Sequence, residues 1–262
     1  MNRIEIKFKN LKENGEKAFI AYIMAGDPDL ETTYNLVLEL EASGVDIVEL
    51  GVPFSDPVAD GPIIQKAGLR ALRKGINLSH ILNLVSKLRK KTEIPIILMS
   101  YFNIIFHQRI ERFVKESKSN GVDGVIIPDL IPEEANDLLK VAKRCDFYPI
   151  FLASPTSNSE RLKKIVRASE GFIYYVSLTG VTGIREMLPL GLKKEVLNVK
   201  KFTSKPLCVG FGISHPQQVR KVLEFSDGVV VGSAIVSIIE KNLGKSFLVS
   251  KVGAFVKLML NK

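Results

Sequence analysis

The sequence predicts a (β/α)8 (TIM) barrel, and three observations carry that expectation. Short apolar runs ending in Gly, Pro, Asp, Ser or Asn recur eight times in 262 residues, and longer segments with helical apolar spacing separate them. Alternating strand and helix implies a parallel sheet covered by helices. Eight such units in a chain of this length favour a closed barrel over an open doubly wound sheet. Residues 1–262 read as one domain, since no linker or low-complexity stretch interrupts the alternation.

The first segment is ambiguous: Ile4, Ile6 and Phe8 alternate like a strand, whereas Phe8 and Leu11 suit a helix. The eight apolar runs are 19–24, 45–50, 95–101, 122–127, 148–153, 172–177, 207–209 and 228–231. Between them, Leu36 with Leu40, Phe113 with Val114, and Leu138 with Leu139 and Val141 mark helices. The link 72–91 holds two helical segments broken at Gly75-Ile76-Asn77. The end, 233–262, also holds two, broken near Asn242-Leu243-Gly244, so extra C-terminal helical segments are expected. Barrel sites lie at the C-terminal ends of the strands. That rule selects Gly26-Asp27, Glu49, 101–103, Asp129, Ser154, 177–183, 210–214 and Gly232-Ser233.

Residues 49–65 are the most informative of these. Gly51 and Pro53 end a strand, Pro57, Gly61 and Pro62 keep the following loop irregular, and Ile63, Ile64 and Ala67 start a helix. The stretch carries Glu49, Asp56 and Asp60. Carboxylates in different environments can divide acid and base work; equally, Asp beside Pro or Gly is an ordinary turn residue.

The loops after the last two strands point to an anion. Gly210-Phe211-Gly212 and Gly232-Ser233 let backbone N–H groups approach closely, and Ser233 opens a helix. Barrels commonly hold phosphate there. Gly244-Lys245-Ser246 is not a P-loop, because Ile239 replaces the upstream glycine, and His215 replaces the third glycine of a dinucleotide fingerprint.

Composition excludes other classes. The net charge of +9 is spread along the chain without an aromatic-interleaved basic patch, which argues against nucleic acid. No apolar run suits a membrane span or a signal peptide, and Cys145 and Cys208 read as reduced thiols of a cytoplasmic protein. His80, His107 and His215 lack metal-ligand spacing, no apolar run contains a Schiff-base lysine, and no nucleophile elbow exists. Carboxylate acid–base chemistry beside a phosphate site remains.

The run Glu-Leu-Gly-Val-Pro-Phe-Ser-Asp-Pro-Val-Ala-Asp-Gly-Pro at 49–62 resembles the signature of the tryptophan synthase alpha chain family, and later stretches extend the likeness over nearly the whole chain. The resemblance implies an N-terminal helix closing the barrel bottom and cleavage of indole-3-glycerol phosphate to indole and glyceraldehyde 3-phosphate. Glu49 would be the proton shuttle and Asp60 the acceptor of the ring N–H. Asp129 would support Glu49 from behind or simply end its strand. Tyr22, Ile64, Met99, Ile126 and Phe211 would line the indole slot, with barrel core as the alternative for each. Only one of Tyr174 and Tyr175 can point inward, and the family pattern selects Tyr174. Gly180-Val181-Thr182-Gly183 resembles the family's lid, whose threonine, here Thr182, meets Asp60 and whose glycine, Gly183, grips phosphate with Gly212, Gly232 and Ser233. No cofactor is expected in this chain; pyridoxal phosphate would sit on a partner beta chain in an α2β2 heterotetramer, contacting 53–57, 103–106 and the region of Pro132. The rival readings are another phosphate-binding barrel enzyme of tryptophan or histidine biosynthesis, or a non-catalytic phosphate-ligand barrel.

Overall fold

The computed structural model describes residues 1–177, 188–210 and 212–261. Among these, nine parallel strands form one sheet in the order β5-β4-β3-β2-β1-β9-β8-β7-β6. Helix α1 (Arg3–Glu13) leads into β1 (Ala18–Met24), α2 (Leu30–Ala42) and β2 (Ile47–Gly51). Two helices, α3 (Pro62–Arg73) and α4 (Leu78–Leu88), then precede β3 (Ile96–Met99). After it come α5 (Phe102–His107), α6 (Ile110–Ser119), β4 (Gly124–Ile126) and α7 (Asn136–Arg144). The fifth apolar run splits into β5 (Tyr148–Ile150) and β6 (Leu152–Ala153), followed by α8 (Ser159–Ala168) and β7 (Ile173–Val176). Then follow α9 (Leu192–Lys200), β8 (Leu207–Gly210), α10 (Pro216–Leu223), β9 (Gly228–Val231), α11 (Ser233–Lys241) and α12 (Leu248–Leu260).

All eight expected runs are strands, and the ninth arises from the split. At Phe151 the chain changes partners: β5 pairs with β4, whereas β6 pairs with β7. The Phe151 N–H turns to the Ser169 hydroxyl at 3.0 Å, so the ladder is interrupted without leaving that donor unpaired. The two halves are covalently continuous, so the sheet closes into a barrel through Phe151.

The first segment is a helix. Its buried positions are Ile4, Phe8 and Leu11, one helical face, while Ile6 is exposed. Asn2 caps it by accepting from the Ile4 N–H and donates to the carbonyls of Asp123 and Asp146. Those residues precede β4 and β5, so α1 plugs the N-terminal mouth.

Alternation along the strands sorts residues between two cores. Ala18, Ile20, Ile47, Ile97, Ile126, Tyr174, Cys208 and Val230 fill the barrel interior. Phe19, Ala21, Val48, Ile96, Leu98, Tyr175 and Val209 pack against the helices. By that parity Glu49, two residues beyond Ile47, points inward at the C-terminal mouth. At the other mouth, acidic side chains tie strands together: Asp46 accepts from the Phe19 N–H, Asp123 from Ile96 and Asp227 from Leu207. Asp123 is also paired with Arg3 and Arg89.

Candidate active site

The register aligns Tyr22 of β1 with Glu49 of β2, and Glu49 with Ile97 of β3. At the mouth above the interior core lies a cavity lined by Tyr22, Glu49, Asp60, Ile64, Met99, Tyr174, Gly212, Ile213, Val230, Gly232 and Ser233. Glu49 is 1% exposed and Asp60 is 5% exposed.

The two carboxyls differ in their surroundings. Glu49 Oε2 is buried and has no hydrogen-bond partner among the described residues. Burial, followed by the nearby charge of Asp60, pushes the Glu49 carboxyl up to about 8. Burial also raises Asp60, but a hydrogen bond opposes it, and the group sits at about 6. That bond comes from the Tyr101 hydroxyl, which donates to Asp60 Oδ2 at 3.1 Å and accepts from the Ala59 N–H at 3.0 Å. Between these two values Glu49 holds a proton while Asp60 is ionised, a division that suits an acid and a cation stabiliser. Asp56 is exposed and bonded to the neighbouring Ser55 hydroxyl, a turn residue.

Two tyrosine rings flank Glu49 because glycines leave them room. A Cβ on Gly51 would stand 2.2 Å from the Tyr22 hydroxyl oxygen, and one on Gly210 would stand 2.5 Å from that of Tyr174. Of the two adjacent tyrosines, Tyr174 lines the cavity, while Tyr175 points outward and donates to Glu195 of α9 at 3.0 Å.

The far wall presents backbone features that suit an anion. Gly212 has φ +79°, a conformation glycine adopts without strain. Gly232 is the N-cap of α11 and has no side chain with which to cap that helix. Its first N–H groups and its dipole therefore face the cavity beside Ser233. The β8 loop is tied down by Gln218, whose side-chain oxygen accepts from the Ser214 and His215 N–H groups.

Glu49, Asp60, Tyr22, Ile64, Met99, Tyr174, Gly212, Gly232 and Ser233 are thus brought together. Ile126 is placed elsewhere: it is fully buried in the barrel interior, paired with Met99, and does not line the cavity. Asp129 is exposed and does not reach Glu49; it accepts from the Phe102 N–H at 2.9 Å and so caps α5. Thr182, Gly183 and Phe211 lie outside the described residues. Tyr101 was visible as a strand-end residue, but its bond to Asp60 connects positions 41 residues apart. Ile213 and Val230 complete the lining, and only the parity of β9 hinted at Val230. No group of three or more His, Cys, Asp or Glu among the described residues is arranged to hold a metal. No helix among them is long and apolar enough to cross a membrane.

Comparison with known proteins agrees with this geometry. The family profile of the tryptophan synthase alpha chain matches residues 8–259. The alpha chain from Thermoanaerobacter sp. is 49% identical over 98% of this chain and 97% of its own length. That from Geobacter sp. is 51% identical over 98% and 96%. The crystal structure of the alpha subunit from Legionella pneumophila superposes with a TM-score of 0.93 at 40% identity, covering 100% of this chain and 98% of that one. A chain of the tryptophan synthase α2β2 complex from Pyrococcus furiosus gives 0.88 at 36% identity, covering 94% and 98%. With a family match across nearly the whole length and relatives near half identity, this chain belongs to the tryptophan synthase alpha chain family.

Proposed function

We propose that Glu49 and Asp60 perform the chemistry of this family in the present chain: the retro-aldol cleavage of indole-3-glycerol phosphate to indole and glyceraldehyde 3-phosphate. The chain is a carbon–carbon lyase of tryptophan biosynthesis by family. The observation that carries the residue assignment is a buried Glu49 carboxyl, its Oε2 without a hydrogen-bond partner among the described residues, sharing a cavity with Asp60 and the N-terminus of α11.

Indole leaves poorly as a carbanion, so carbon 3 of its ring must first be protonated. Glu49, protonated near neutrality, donates that proton, and the ring becomes a cationic indolenine. The Asp60 carboxylate accepts the ring N–H and stabilises the positive charge. Glu49, now a carboxylate, takes the proton of the hydroxyl on the adjacent side-chain carbon. The oxygen electrons form the aldehyde, the carbon–carbon bond breaks, and its electron pair returns to the ring. Glu49 ends as it began. Tyr22, Ile64, Met99 and Tyr174 enclose the ring; Gly212, Gly232 and Ser233 hold the phosphate. Thr182 and Gly183 would close over the substrate and Phe211 would complete the slot.

We assign a beta chain as partner and pyridoxal phosphate to that partner, with none in this chain. Exposed apolar side chains on or next to the expected contact segments support the docking face: Val58, Phe106 and Ile131 are 75%, 69% and 41% exposed. Phe54 of the same loop stacks on Tyr101 with ring centroids 5.2 Å apart. A partner seated on that loop is therefore one ring away from Asp60.

The decisive assay incubates the protein with indole-3-glycerol phosphate, with and without a beta chain, and measures indole. Release is expected in both cases and is expected to be faster with the partner; no release in either case would leave only a ligand-binding barrel. Activity should rise through about pH 6 as Asp60 ionises and fall through about pH 8 as Glu49 loses its proton. Tyr101→Phe removes the bond that lowers Asp60. Its acid limb should move up by about half a unit, costing about a factor of three below pH 6. An unmoved acid limb would detach Tyr101 from the titration.

A further inference from the structure

We infer that Arg70 is a positioning residue that locks the acid–base side of the cavity to its phosphate side, an inference resting on the function proposed above. Two of the barrel's units carry an additional helix starting at the cavity: α3 after β2 and α11 after β9. The first follows Asp60 directly and contributes Ile64; the second begins at Ser233. The Gln65 side chain on α3 donates to the Asp60 carbonyl at 2.8 Å, so this helix and the Asp60 backbone are joined.

The Arg70 guanidinium bonds three ways. Nε donates to Asp27 Oδ1 at 2.7 Å and Nη2 to Asp27 Oδ2 at 2.9 Å, while Nη1 donates to Glu240 Oε1 at 3.0 Å. Asp27 is 1% exposed and follows β1, the strand that carries Tyr22. Glu240 lies near the far end of α11. One planar group therefore joins three elements, each of which brings a different wall to the cavity. A bidentate fork fixes orientation as well as distance, which a single contact does not. The clamp lies about 12 Å along α3 from Pro62 and about 10 Å along α11 from Ser233. Pinned at their cavity ends by the loops and here by Arg70, the two helices have little freedom to slide or rotate past one another. None of these three side chains lines the cavity.

If the clamp sets the distance between the phosphate grip and the reacting carbon, it governs how much the phosphate contributes to the rate. The test compares kcat/KM for indole-3-glycerol phosphate with that for dephosphorylated indole-3-glycerol, well below the Tm of each variant. In Arg70→Met the advantage of the phosphorylated substrate should shrink by about tenfold, and Arg70→Lys should recover part of it. Should Arg70→Met not fold, Glu240→Ala removes only the bond to α11, from a partly exposed side chain, and should shrink the advantage by about threefold. An equal loss on both substrates, with only Tm lowered, makes the triad a stability device and overturns the inference. A wild-type protein that releases no indole defeats the functional reading first, and this inference with it.

Discussion

Glu49→Gln should release indole at least about a thousandfold more slowly than the wild type, with substrate affinity nearly unchanged. The side chain keeps its size and loses only the exchangeable proton, so binding and chemistry separate cleanly. Single-turnover indole formation and a separate binding measurement check this; cleavage at the normal rate would remove Glu49 from the mechanism. The same change should raise stability at alkaline pH. The folded-state carboxyl titrates at about 8 against 4.5 for the free group, so the folded protein binds more protons than the unfolded chain between those values. Wild-type stability therefore declines as pH rises through that window, on the order of a few kcal/mol in total. The variant has no such group to deprotonate. Its Tm should approach or match the wild type near pH 5 and exceed it progressively to pH 9. A gap that does not change with pH would mean that Glu49 is solvated in the folded protein.

Asp60→Asn should lower kcat by about a hundred- to a thousandfold, the range found when one preorganised stabilising group is removed. An amide can still meet the ring N–H through its oxygen, but it offers no negative charge to the indolenine. The variant should also shift the titration of its neighbour. Asp60 contributes to the raised Glu49 value, so neutralising it lets Glu49 ionise earlier, and the alkaline limb should move to lower pH. The acid limb near pH 6 should disappear. Rate–pH profiles of the residual activity test both statements, and an acid limb that persists would have to belong to another group.

The contrast between the two ends of the barrel supports the roles proposed for Glu49 and Asp60. Asp46, Asp123 and Asp227 at the N-terminal mouth accept backbone N–H groups and pair with cations, so each is used up in holding strands together. Glu49 at the opposite mouth is buried without such partners among the described residues. Burying an ionisable group unpaired costs stability. In the proposed mechanism that cost sets the proton affinity of Glu49.

Much of this was readable from local patterns. The strand–helix alternation, the breaks at Gly75 and Gly244, the rigid loop carrying Asp60 and the glycines opening the last two loops are written in short-range periodicity and turn chemistry. Inward placement of Glu49 follows from a period of two along one strand. Other features depend on groups that meet only after the sheet closes. Nothing near Asp129 says that it will cap α5 rather than face Glu49, and Ile126 packs in the interior core and is not part of the site cavity's lining. The burial of Asp60 beside an exposed Asp56, the Tyr101 bond and the Arg70 clamp likewise depend on residues from different units. Periodicity describes how one segment folds on itself; burial, proton affinity and partnership are properties of the space between segments, and they exist only once the barrel has formed.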